Sequence, residues 1–70
     1  MIKFKIPTTL NVIDGYDEAN DTITREHEQT FNRNDTVDAS IFSDNGAYVD
    51  IQFANGSIAL GVQRACFAVI

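Results

Sequence analysis

Residues 36–70 read TVDASIFSDNGAYVDIQFANGSIALGVQRACFAVI, and the pattern in them decides the fold. Val37, Ala39 and Ile41 alternate with Thr36, Asp38 and Ser40 until Asn45-Gly46 interrupts the run. Val49, Ile51 and Phe53 alternate with Tyr48, Asp50 and Gln52 until Asn55-Gly56 interrupts again, and Ile58, Leu60 and Val62 then alternate with Ala59 and Gly61. Strand side chains point to opposite faces in turn, so a period of two marks one buried face, and Asn-Gly supplies the positive φ that tight hairpins require. The stretch is expected to be a meander of antiparallel strands closing into a small barrel.

Toward the C-terminus, Gln63-Arg64-Ala65 reads as one short 3-10 turn and Cys66–Ile70 as a closing strand. Phe67, Ala68, Val69 and Ile70 make that strand apolar on both faces, so it needs cover from something. In so short a chain the expected cover is a second copy. Phe67, Val69 and Ile70, with Ile2 and Phe4 from an edge-like first strand, are the candidate oligomer-interface residues. Closed symmetry would satisfy both edges without open-ended growth.

Toward the N-terminus, residues 1–13 read as the first strand. Ile2, Phe4, Ile6, Leu10 and Val12 share one face, Lys3 and Lys5 take the other, and Pro7, which has no N–H to give a ladder, marks an edge, a bulge or a bend. Residues 14–21 are turn formers and solvated acids, expected as a polar loop. Residues 22–31 carry two readings. Thr22, Ile23, Thr24, Thr30 and Phe31 favour a strand, while Asp21 can cap a helix through Gln29. That helix would have no apolar stripe, which favours the strand. Phe31-Asn32-Arg33-Asn34-Asp35 is the turn into the meander.

Seventy residues make a single domain, 1–70, with little core to spare. Cys66 is the only cysteine, so no disulfide forms within one chain, and a buried hydrophobe is the expected role of its side chain. The formal net charge of −5 is concentrated in one place: Asp14, Asp17, Glu18, Asp21, Glu26 and Glu28 face Arg25 alone, and the remaining charges cancel. Such a segment repels phosphate backbones, which disfavours generic nucleic-acid binding. Lysines interrupt the N-terminal apolar residues and no run approaches the ~20 apolar residues of a membrane span, so a cytoplasmic protein without a membrane partner is expected.

Short strands, a long first loop, tight hairpins and a 3-10 turn before the last strand resemble the all-β, five-stranded small barrels of the Src-homology-3 (SH3) and Sm-like classes, here with a long acidic hairpin. Phe31-Asn32-Arg33-Asn34-Asp35 looks like the aromatic-basic-turn-Asp segment entering the second strand of an SH3-like barrel. Residues 61–70 look like its 3-10 turn and closing strand. Val62-Gln63-Arg64-Ala65 followed by an apolar strand is similar to the second Sm-like motif, with Ala65 where that motif has Gly. The chain has no Trp, and its tyrosines are Tyr16 and Tyr48 alone, a departure from the aromatic surface that reads proline-rich ligands. A short acidic chain of this kind is also similar to small orphan proteins of phage genomes. The Sm-like resemblance implies a homo-oligomeric ring that binds single-stranded RNA through Arg64, with Asn45 and Asp44 in the facing turn. The bland reading of Arg64 is a surface residue on the 3-10 turn. The SH3-like resemblance implies instead an adaptor whose acidic loop, with Tyr16, Asp17 and Glu18, grips a basic protein partner.

Other chemistry finds little purchase. Asp14, Asp17, Glu18, Asn20 and Asp21 are oxygen-rich enough for calcium but lack the EF-hand spacing, and a solvated loop explains them. His27 stands without a second His, and an exposed strand residue is the simpler reading. Asp38 and Asp50 are candidates to face each other on adjacent strands, with outward-facing solvated acids as the simpler account. Ser40, Ser43 and Ser57 have no neighbouring His in the sequence. No catalytic residue, no metal, no cofactor and no small-molecule substrate is assigned, and the expected function is non-enzymatic.

Overall fold

The computed structural model describes residues 1–70. Its elements are β1 (Ile2–Phe4), β2 (Thr8–Asp17), β3 (Thr22–Phe31), β4 (Thr36–Val37), β5 (Ala39–Asp44), β6 (Tyr48–Phe53), β7 (Ile58–Gln63), a 3-10 turn (Arg64–Cys66) and β8 (Phe67–Val69). They form two antiparallel sheets with strand orders β4-β1-β8 and β3-β2-β7-β6-β5. The architecture is thus all-β with two sheets, not five strands closed into one barrel. No helix is long and apolar enough to cross a membrane.

Two chain breaks make two sheets out of one expected run. Pro7 cannot extend a ladder, and the bend at Lys5-Ile6 before it ends β1, so β2 starts in the other sheet. Ile6 leaves the shared face and is 50% exposed. Asp38 plays the same part between β4 and β5, and its carbonyl accepts the Ala54 N–H at 2.9 Å. Further backbone bonds stitch β1 to segments outside its own sheet. Phe4 N–H donates to the Asp35 carbonyl at 2.9 Å, and Lys5 N–H donates to that of Cys66 at 2.8 Å.

One core lies between the sheets. Ile2, Phe4 and Phe67 come from the small sheet, while Leu10, Val12, Phe31, Ala39, Val49, Ile51, Ala59 and Val62 come from the large one. Phe4 stacks on Phe31 with centroids 4.6 Å apart, and Phe31 stacks on Phe53 at 6.0 Å. Cys66 is buried and free. Burial of each such aromatic side chain contributes about 1.5–3 kcal/mol, so the Phe4–Phe31–Phe53 stack is a large share of what a chain this short can gather.

The β2–β3 hairpin is the one part that leaves this body. Its strands pair from Thr8↔Phe31 out to Asp17↔Thr22, yet β2 joins β7 only through Val12↔Ala59 and Ile13↔Ile58. Beyond Ile13 it is an arm, and the molecule is 37 Å long against 23 and 17 Å in its other dimensions. The strand reading of residues 22–31 therefore holds, and nine of its ten residues are exposed. The expected acidic loop is much shorter than residues 14–21. Asp14–Asp17 belong to β2, and only Glu18–Asp21 turn.

Candidate functional site

The arm carries the acids and the longest free sheet edge. β3 is hydrogen-bonded on one side only, to β2, and its outer edge is free along its length. The other edge strands offer less. β4 and β8 have two and three residues, and β5 is broken by a bulge at Phe42. Bulges and brevity are how natural sheets blunt an edge. On β3 the register with β2 shifts at Thr24, but Arg25–Phe31 run without interruption, and along that stretch the blunting device is charge.

Asp14 is the pivot where the arm leaves the body. The β2–β3 register shifts between Ile13 and Gly15, which leaves Asp14 without a partner across the ladder. Its carboxylate joins Val12, His27 and Gln29 in lining a cleft of about 150 Å³. Phe31, Val37 and Phe53 are the cleft's other apolar walls, and Asn55 and Ser57 stand on the opposite rim. Within it, Asp14 Oδ2 lies 2.5 Å from His27 Nδ1, and Ser57 Oγ donates to Asp14 Oδ1 at 3.0 Å. His27 Nε2 faces Gln29 Oε1 at 3.2 Å. Both ring nitrogens thus meet oxygens, an arrangement that an imidazolium with its two donors satisfies. The Asp14 hydrogen bond, then that of Gln29, raises the His27 pKa above its ordinary 6.5. The His27 hydrogen bond in turn holds the Asp14 carboxyl below its ordinary 3.8 despite some desolvation.

Ser, Asp and His meet here in an order that does not activate a nucleophile. A triad needs the imidazole against the serine oxygen, whereas both Ser57 and His27 bond to Asp14. The arrangement anchors the arm to the β6–β7 turn and holds a carboxylate half inside an apolar cleft. No local pattern in the sequence links these residues, because Ser57 lies 43 residues from Asp14. A signal was present only in His27, which falls on the same face of β3 as Gln29 and Phe31.

Arg64 and Asp44 pair with each other, and Asn45 lies beside them in the β5–β6 turn. Arg64 Nη2 pairs with Asp44 Oδ2, and Arg64 Nε donates to the Gly46 carbonyl at 2.9 Å. Gly46 N–H donates to Asp44 Oδ1 at 2.8 Å, and Asn45 N–H to the Tyr48 carbonyl at 2.9 Å. The Arg64 guanidinium lowers the Asp44 pKa. Arg64 thus clasps the β5–β6 turn and shares its charge with Asp44.

Among the acidic-loop residues, Asp17 holds the hairpin turn. It accepts the Ala19 N–H at 3.0 Å and the Asn20 side-chain amide at 2.8 Å, and these bonds lower its pKa, the Asn20 side-chain bond most. Glu18 is exposed, and Tyr16 lies half-exposed opposite Ile23. The five candidate calcium ligands do not converge on one point: Asp14 turns to His27 and Asp17 to the turn. Asp38 and Asp50 do not face each other. Asp50 pairs with Ser43 across the ladder and accepts the Gly61 N–H at 2.9 Å.

The interface residues divide. Ile2, Phe4 and Phe67 are 1%, 0% and 4% exposed, enclosed in the chain's own core and closed to a neighbour. The reason is the β4-β1-β8 sheet, which lays β8 against β1 and turns Phe67 inward. Val69 and Ile70 remain 66% and 63% exposed, beside Met1 at 51%. A larger, shallow groove of about 420 Å³ opens between Met1, Ser40, Gln52 and Gly56, but Asp38 is its only ionisable side chain. Comparison with family models, with curated proteins and with solved structures gives no match to this chain.

Proposed function

We propose that the chain is a non-enzymatic binding module, similar in build to the small SH3-like and Sm-like barrels, that docks an extended basic peptide along the free edge of β3. The observation that carries this reading is the edge itself. Nine of its ten residues are paired on one side, nine are exposed, and the arm holds six acids against Arg25. An added strand gains main-chain hydrogen bonds at such an edge. The acids then select the partner, because another copy of the arm is repelled and a lysine- or arginine-bearing strand is attracted. Attraction of this origin is screened by salt. Binding of a short peptide of alternating lysine and threonine should weaken steeply with added salt. It should also fall when Glu18 and Glu28, both exposed, become Gln. Salt-independent binding, or binding indifferent to that double substitution, would remove the reading.

A second reading, self-association into a ring, is favoured by Met1, Val69 and Ile70 beside the free edge of β8. It rests on that rim rather than on Ile2, Phe4 and Phe67. Single-stranded RNA as the ligand of such a ring would have to compete with Asp44 for Arg64.

A further inference from the structure

We propose that the cleft beneath the β2–β3 arm is the specificity pocket of that edge, and that it takes one lysine side chain of the docked strand by displacing His27 from Asp14. The inference rests on the edge-docking reading. A strand laid on β3 would run about 4.8 Å from it, and every second side chain would point to the face that His27 and Gln29 line.

Size and chemistry choose the occupant. At about 150 Å³ the cleft lies well below the range of small-molecule pockets, roughly 300–1,000 Å³, and suits one side chain. Phe31, Phe53 and Val12 offer apolar wall to an aliphatic stem, and Asp14, His27 and Gln29 stand together as polar groups. Asp14 Oδ1 is already taken by Ser57, which leaves Oδ2 as the exchangeable oxygen. A bidentate guanidinium fork needs both carboxylate oxygens, whereas an ammonium needs only points of charge. The two acceptors that bracket the His27 ring, Asp14 Oδ2 and Gln29 Oε1, are the two an ammonium would take over. His27 can leave, since its side chain is 47% exposed while that of Asp14 is 18% exposed.

Displacement couples binding to protons. When the lysine ammonium takes Asp14, the imidazolium loses the partner that raises its pKa, and above the ordinary 6.5 its proton passes to solvent. Asp14 is the only other ionisable group lining the cleft; Arg25 also acts on His27 from β3, and the β6–β7 turn contributes only neutral Asn55 and Ser57. Affinity is therefore set by a contest between His27 and lysine for one carboxylate.

The test is the affinity of the alternating lysine–threonine peptide from about pH 5 to about pH 8, the range in which histidine titrates. For the wild type, Kd should fall as pH rises between the ordinary 6.5 of a displaced imidazole and the higher value His27 has beside Asp14, by at most about tenfold per pH unit, and the slope should persist at high salt. His27→Gln should flatten the slope, and an arginine-for-lysine peptide should bind more weakly with little pH dependence. An unchanged slope in His27→Gln, or one that vanishes with salt as long-range repulsion does, overturns the displacement. Binding without any slope overturns the pocket and leaves edge docking standing, whereas absence of binding at every pH and low salt removes both.

Discussion

The side chains of Asp14 and His27 meet between β2 and β3 with 2.5 Å between Oδ2 and Nδ1, beside the point where β2 parts from β7. This pair makes the arm's attachment pH-dependent. His27 has a raised pKa, so its contribution is complete below the ordinary 6.5 and is lost as pH rises through the higher folded value. Asp14 has a lowered pKa, so its contribution is present above the ordinary 3.8 and is lost as pH falls through the lower folded value. Thermal unfolding should show the wild type most stabilised by the pair between those two values. His27→Gln should remove the decline above pH 6.5 and leave that limb flat.

Phe4 is fully enclosed and stacked on Phe31. Phe4→Ala should cost about 3–5 kcal/mol, the usual range for a buried aromatic. A chain of this size has a total stability of the same order, so the variant should be largely unfolded at room temperature. Urea denaturation followed by circular dichroism would read this directly.

Gly46 has φ +89° in the turn that Arg64 clasps, with open space where a side chain would go. Crowding is thus absent and backbone strain alone decides. Gly46→Ala should cost about 1–2 kcal/mol, the penalty of a left-handed conformation for an L residue. A shift of the urea midpoint without a change of slope would confirm it.

Val69 and Ile70 give the self-association reading its own test. Light scattering on size-exclusion fractions should show a species larger than a monomer if a second copy covers β8. Lysine at both positions should then return it to the monomer. A monomeric wild type would end that reading and leave the β3 proposal untouched.

Much of the fold was legible because alternation is a direct record of which face is buried. Val49, Ile51 and Val62 are core residues, as their spacing requires, and both Asn-Gly turns fall between strands. Several failures occur where the chain leaves strict period two. The ladder shifts between Val49 and Ile51 opposite Gly61, at φ +65°, so Ala59 rather than Leu60 turns inward, and Leu60 is 54% exposed. Pro7 and Asp38 move the chain between sheets, which no local pattern announces. The cleft was hidden for the same reason. A bulge turns Asp14 to His27, and the third partner, Ser57, comes from a distant turn. The Arg64–Asn45–Asp44 grouping was legible, but its internal pairing was not, since a sequence does not say which acid a lone arginine meets.

The central claim is that β3 accepts a strand, and amide hydrogen exchange measured with and without the lysine–threonine peptide at low salt tests it most directly. The account predicts that the β3 amides between Thr22 and Thr30 that point away from β2 become protected on saturation, while those of β5 and β8 do not change. Peptide bound at saturation with the β3 edge exchanging as fast as before would contradict it.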